Sequence, residues 1–250
     1  MTDEIEDYKR ESHQRVMGYS SADALASAGR VFLQEAINHQ YAYNFFWCGV
    51  PIVQIPQEIQ AFQEIIFNVK PDCIVETGIA WGGSLVFSAS MLCILEACGF
   101  IANGRVIGVD REIRPHNLRN ITEHPLSKKI SLLEGSSTEK EIFDQVRQMT
   151  ANYKKILVFL DSNHSTDHVL EELKLYSSLV SVDSYCIVGD TGIDDFDNNP
   201  LIQRPWGPGN GPKKAVHEFL KSNSNFVIDK YTDTKLIATG SPDGYLKRIR

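Results

Sequence analysis

The chain has 250 residues, 42% of them hydrophobic and 23% charged, which suits one soluble α/β domain with additions, large enough to bury a core without staples. Its formal net charge of −7 lacks the positive field that nucleic acid or an anionic membrane requires, so neither is expected as a partner and a small-molecule or sugar acceptor fits better. The charged opening from Met1 to Arg10 has no signal-peptide core, and the longest apolar run, Leu85 to Leu95, is too short to span a bilayer, so a cytoplasmic protein is expected.

Residues 1–50 are polar and then increasingly aromatic, ending in Tyr41, Tyr43, Phe45, Phe46 and Trp47. They read as an N-terminal helical extension ahead of a Rossmann-like domain over residues 51–250, with Pro51 and Pro56 at the junction. From Gln57 to Val69, Ile59, Phe62, Ile65 and Ile66 fall at helical spacing. Short apolar runs then alternate with helical segments. Strands are predicted from Cys73, over Arg105 to Asp110, from Ile130, from Ile156 to Asp161 and from Tyr185 to Asp190. Helices are predicted over Ser84 to Ala97, Lys140 to Met149 and Val169 to Leu179. This alternation implies a parallel sheet with right-handed crossovers. The tail reads as strands over Phe226 to Lys230, Lys235 to Thr239 and Tyr245 to Ile249, the last after the turn signal Ser-Pro-Asp-Gly. So short a link implies an antiparallel hairpin. A seven-stranded, mostly parallel sheet ending in such a hairpin is the plan of class I S-adenosylmethionine-dependent methyltransferases. The five cysteines (Cys48, Cys73, Cys93, Cys98 and Cys186) include no CxxC pair and read as reduced, buried small hydrophobes.

The first predicted strand ends in Glu76-Thr77-Gly78-Ile79-Ala80-Trp81-Gly82-Gly83-Ser84. Glycines let the backbone turn sharply against a ligand, and the following helix offers free N–H groups. The spacing is G-x-x-x-G-G rather than the dinucleotide G-x-G-x-x-G, and Glu76 is unhelpful beside a pyrophosphate but suits an ammonium group. Both features favour S-adenosylmethionine over NAD, with a ligand-free βα turn as the plain alternative. Glu76, Thr77, Gly78, Gly82, Gly83 and Ser84 are therefore candidate cofactor residues. Asp110, ending the second strand, is placed to accept ribose hydroxyls or to cap a helix. Ser136 and Ser137, after the third strand, are placed at the adenine or as caps of the Lys140 helix.

The fourth strand delivers Asp161 and His164; the fifth delivers Asp190. Neighbouring carboxylates at Asp161 and Asp190 repel unless a cation lies between them, and oxygen ligands suit Mg²⁺. Asp161 is thus a candidate metal, catalytic and cofactor residue, Asp190 a metal ligand and His164 a general base for a hydroxyl acceptor. His168 reads as structural, and Asp194, Asp195 and Asp197 as a solvated loop. The glycine-rich loop over residues 191–212 reads as a lid offering Trp206 to an acceptor, or equally as a rigid loop with Trp206 packed inward.

These residues resemble the cephalosporin hydroxylase (cephamycin-biosynthesis) family and its relatives among Mg²⁺-dependent macrolide sugar O-methyltransferases. The resemblance is carried by Lys70-Pro-Asp-Cys-Ile-Val-Glu-Thr-Gly-Ile, Gly108-Val-Asp, Ile113-Arg-Pro-His-Asn, Glu134-Gly-Ser-Ser, Leu160-Asp-Ser-Asn-His, His168-Val-Leu-Glu-Glu-Leu, Arg204-Pro-Trp-Gly and Asp243-Gly-Tyr-Leu-Lys-Arg. It runs from about residue 48 to the C-terminus. It implies a class I fold, a homo-oligomer, Asp161 and Asp190 as metal ligands and His164 as base. Relatives carry an acidic residue where this chain has Gly189. That leaves one ligand fewer, to be made up by water or a loop aspartate such as Asp194, or a metal held weakly or dispensed with. Sugar O-methylation is the expected chemistry; a non-catalytic S-adenosylmethionine-binding accessory protein and a NAD-dependent oxidoreductase are the alternatives.

Overall fold

The computed structural model describes residues 3–196 and 204–250. Two amphipathic helices, α1 (Asp3–Tyr19) and α2 (Asp23–Asn38), lead into a small antiparallel hairpin of β1 (Phe45–Trp47) and β2 (Val50–Ile52). The sequence reading did not foresee this hairpin; three-residue strands carry almost no periodicity. Pro56 occupies the first turn of α3 (Pro56–Val69), where its missing N–H costs nothing.

The alternating region follows as β3 (Cys73–Thr77), α4 (Gly83–Ala97), β4 (Arg105–Asp110), α5 (Pro115–Thr122), β5 (Ile130–Glu134), α6 (Lys140–Thr150), β6 (Ile156–Leu160), α7 (Thr166–Tyr176) and β7 (Tyr185–Val188). It closes with α8 (Pro212–Ser222), β8 (Phe226–Ile228), α9 (Lys230–Leu236) and β9 (Tyr245–Arg248). The strands form one seven-stranded sheet in the order β5-β4-β3-β6-β7-β9-β8. Five are parallel; β9 runs antiparallel to both β7 and β8. This is the class I methyltransferase plan, with its antiparallel C-terminal pair.

One part of the expected tail is corrected. Lys235 to Thr239 is not a strand, and the partner of β9 is β8. The Asp229 carboxylate accepts from the N–H groups of Tyr231 and Thr232 and so caps a short helix there. That local bond outweighs the β-propensity of the segment after it.

The sheet is buried on both sides, which explains its unbroken apolar strands. In β6, Leu157 and Phe159 face one core while Ile156, Val158 and Leu160 face the other. The first core is closed by α3 and α4 through Phe62, Ile65, Leu85 and Leu92, the second by α6, α7 and α8 through Val146, Leu173 and Val216. Helix α1 rests on α9, where His13 stacks on Tyr231 at 4.8 Å. Trp47 joins the hairpin to α4 by packing on Phe87 and donating to Ser90 Oγ at 3.0 Å. Of the cysteines, Cys73 and Cys186 are buried as expected, but Cys48 and Cys98 are exposed, since they sit on a turn and at a helix end rather than inside the apolar runs beside them.

Candidate active site

Strand order reverses between β3 and β6, so the crevice between their carboxyl ends is where an open α/β sheet takes its ligand. The turn after β3 opens with Gly78 at φ +81°, and a Cβ there would lie 2.1 Å from the Asp161 carbonyl oxygen. Only glycine tolerates both the left-handed backbone and that approach. The close fit draws the ends of β3 and β6 together. It is fixed further by Asp161 N donating to Thr77 O at 2.9 Å. Gly82 caps α4, and Gly83 and Ser84 form its first turn.

Glu76 is buried at 1% exposure. Its Oε1 accepts from Ser84 Oγ, while Oε2 is buried with no partner. Desolvation pushes its carboxyl up to about 8, against the lowering effect of the Ser84 hydrogen bond. An orphaned buried carboxylate oxygen requires an explanation, and a ligand ammonium group provides one. Thr77 is fully buried with its hydroxyl also unpartnered.

A cleft of about 490 Å³ opens beside this turn, lined by Gly78, Asp110, Ser136, Ser137, Asn163 and Trp206 among others. That volume accommodates a nucleoside-sized ligand. Asp110 does not cap α5. Its Oδ2 accepts from Ile79 N at 2.9 Å and its Oδ1 from Glu112 N at 3.2 Å, which ties the acidic end of β4 to the glycine turn. Neither Ser136 nor Ser137 caps α6, whose N-cap is Glu139. Ser136 Oγ contacts Thr138 Oγ1, and Ser137 Oγ contacts His168 Nε2 at 3.2 Å. His168, read from sequence as structural, therefore lines the cleft.

On the other side of Asp161 stands a cluster that fits a cation. Ligand atoms of Asp161, His164 and Asp190 lie within 4.8 Å of one another. His164 Nε2 is 3.5 Å from Asp190 Oδ2. Asp190 follows β7 in the left-handed region, φ +54°, an uncommon conformation for a non-glycine residue that aims its carboxylate across at β6. Burial, and then the nearby carboxylates of Asp190, Glu76, Glu58 and Glu172, hold Asp161 well above the usual carboxylate range. So much like charge in one crevice is what a bound cation would relieve.

Gly189 is not simply a vacant ligand position. A Cβ there would come within 2.3 Å of Asp161 Oδ1, so Asp161 fills the space into which a side chain at 189 would start. Asp194 does not replace it. Its carboxylate accepts from Gly209 N and Lys213 N, both at 3.1 Å, and fastens the loop to the start of α8. Asp195 pairs with Lys213, so neither aspartate is a free solvated group. Asp197 lies outside the described residues. Trp206 packs inward, its ring set edge to face against His164 with centroids 5.4 Å apart, and the Arg204 guanidinium lies over the ring at 5.3 Å.

Three polar residues at this site escaped the sequence reading. Gln54 donates to Asp161 Oδ2 at 3.3 Å from the chain leading into α3. Glu58, in the first turn of α3, is 5% exposed and accepts from Thr239 Oγ1 and Ser241 Oγ. Burial and the neighbouring Asp190 push it up to about 7. Glu172 is fully buried on α7. For Glu172 a signal was available: it stands four residues after His168, on the same helix face. Glu58 had none, because an acidic first turn is the ordinary surface pattern.

The family model described as Rhamnosyl O-methyltransferase/CmcI matches residues 39–249. A rhamnosyl O-methyltransferase of Mycobacterium tuberculosis is 28% identical over 237 residues, covering 92% of this chain and 87% of that protein. One of Mycobacterium leprae is 27% identical over 218 residues, covering 84% and 88%. Among solved structures, a CmcI complex with Mg and SAM superposes with a TM-score of 0.56 at 18% identity, covering 83% of this chain and 78% of that one. The O-methyltransferase TomG of Streptomyces achromogenes, in complex with SAM, gives 0.52 at 14% identity, covering 77% and 80%. At those identities the structural likeness carries the fold.

Proposed function

This chain belongs to the rhamnosyl O-methyltransferase/CmcI family, and from that premise we propose that it transfers a methyl group from S-adenosylmethionine to a hydroxyl of a sugar or sugar-bearing metabolite, with Mg²⁺ at Asp161 and Asp190 and His164 as base. The observation that carries this reading is Glu76: a buried carboxyl with one unpartnered oxygen at the end of β3, just before the glycine turn and close to Asp161 of the Asp161–His164–Asp190 cluster. Glu76 takes the ammonium of the methionine half, and Asp110 and Ser137 take the ribose and adenine in the cleft. Two neighbouring carboxylates, with water or acceptor hydroxyls completing the shell, fit a hard divalent ion and leave the His164 imidazole free to act as base.

When bound, S-adenosylmethionine supplies the electrophilic methyl group and Mg²⁺ the positive charge that makes an acceptor hydroxyl easier to deprotonate. His164 receives the hydroxyl proton at Nε2, and Asp190, 3.5 Å away, stabilises the imidazolium that results. Trp206, packed on His164, keeps water from the base. Gln54 holds Asp161 in orientation through its amide.

The test is transfer of labelled methyl from S-adenosylmethionine to rhamnosyl glycosides. Product formation supports the reading. Binding of the cofactor without transfer to any hydroxyl acceptor would favour an accessory role, the reading to which Gly189 lends weight.

A further inference from the structure

Helix α7 carries His168 and Glu172 on one face, under the nucleoside cleft. Glu172 is fully buried, and its Oε1 accepts the Ser162 hydroxyl at 2.8 Å. A serine hydroxyl has one proton to give. With that proton committed to Glu172, the 3.1 Å contact between Ser162 Oγ and His168 Nε2 is a hydrogen bond only if the imidazole donates. His168 Nε2 therefore carries a hydrogen whether the ring is neutral or charged. The same N–H faces Ser137 Oγ at 3.2 Å. Ser137 accepts there, and its own proton is left over. Ser137 is 4% exposed and lines the cleft, and its hydroxyl has no other partner among the described residues. A buried hydroxyl proton needs an acceptor, and the cleft is where one would sit.

We infer that Glu172, acting through Ser162 and His168, fixes Ser137 as a hydrogen-bond donor to the nucleoside, so that the pocket selects a base with an acceptor ring nitrogen, as adenine has, over one with an N–H in its place. Ser137 is the contact; His168 and Glu172 are positioning residues. The inference rests on the reading that this cleft holds the adenosine half of S-adenosylmethionine.

Calorimetric titration with S-adenosylhomocysteine, and with its inosine analogue, tests it. S137A and H168A are each expected to weaken S-adenosylhomocysteine binding roughly five- to tenfold, the loss of one neutral hydrogen bond. The double variant should bind no more weakly than S137A alone, because the two act through one contact. H168Q, whose amide still donates, should keep most of the affinity. E172Q gives Ser162 an amide that can donate back, so it should narrow the preference for the adenine compound over the inosine compound. Wild-type affinity in S137A or H168A, losses that multiply in the double variant, or an unchanged base preference in E172Q would overturn the inference. Silence from the wild-type protein with S-adenosylhomocysteine would remove the cofactor reading and this inference together, and is told apart by that arm alone.

Discussion

Glu76 makes the most demanding claim of any single residue. Its carboxyl, raised to about 8 by burial, holds a proton at neutral pH until a cation arrives. An ammonium that pairs with Glu76 must then expel that proton. Titration of S-adenosylhomocysteine at pH 7 in buffers of different ionisation enthalpy should therefore report release of about one proton, and Glu76→Gln should abolish the release and weaken binding. Equal heats in every buffer would contradict the pairing. His164→Ala should lower turnover by roughly a hundredfold or more, the usual scale for a general base, and leave cofactor affinity unchanged. The residues of this site were unevenly legible in the sequence. Glu76, Asp161, His164 and Asp190 announce themselves because they stand at, or within a few residues after, the carboxyl ends of apolar strands, where a parallel sheet presents its ligands. Glu58 and Glu172 do not, since a carboxylate on an amphipathic helix looks the same whether it faces water or the crevice.

At the scale of elements, the end of β7 sets the shape of the cation cluster. Gly189 leaves room for Asp161 and nothing else: its added Cβ would meet Oδ1 at 2.3 Å. Gly189→Ala should displace that carboxylate and weaken Mn²⁺ binding, followed by electron paramagnetic resonance, on the order of tenfold or more. Unchanged affinity would mean that Asp161 is not a ligand. The strands β3 to β7 could be read directly, because burial on both faces makes each an unbroken apolar run between polar turns. In the C-terminal part β8 and β9 could be read as well, but Lys230 to Thr239 could not. The helix at Lys230–Leu236 depends on a capping bond from Asp229, and the β1–β2 hairpin on the packing of Trp47 against Phe87, and neither leaves a periodic trace.

For the whole molecule, the crowd of carboxylates beneath the crevice predicts a pH dependence of stability. Glu58 and Glu76 have folded-state values of about 7 and about 8, above the 4.5 of an unperturbed glutamate. Between those limits the folded chain holds protons that the unfolded chain has lost. Stability is greatest below the unfolded value and falls as pH rises through the folded ones. The melting temperature of the ligand-free protein should therefore drop from about pH 5 to pH 8, and Mg²⁺ or S-adenosylhomocysteine should restore part of it at pH 8. A melting temperature that climbs over that range would show that these groups are not buried uncompensated. The three-layer plan itself needs no such fine balance. It follows from five parallel apolar strands that must be covered on both faces.

The central claim is that the crevice between β3 and β6 is built for S-adenosylmethionine. Calorimetric titration of the intact chain with S-adenosylhomocysteine, beside NADH as a control, tests this most directly. The account predicts saturable one-to-one binding of S-adenosylhomocysteine and none of NADH. Binding of NADH, or no heat with S-adenosylhomocysteine, would contradict it.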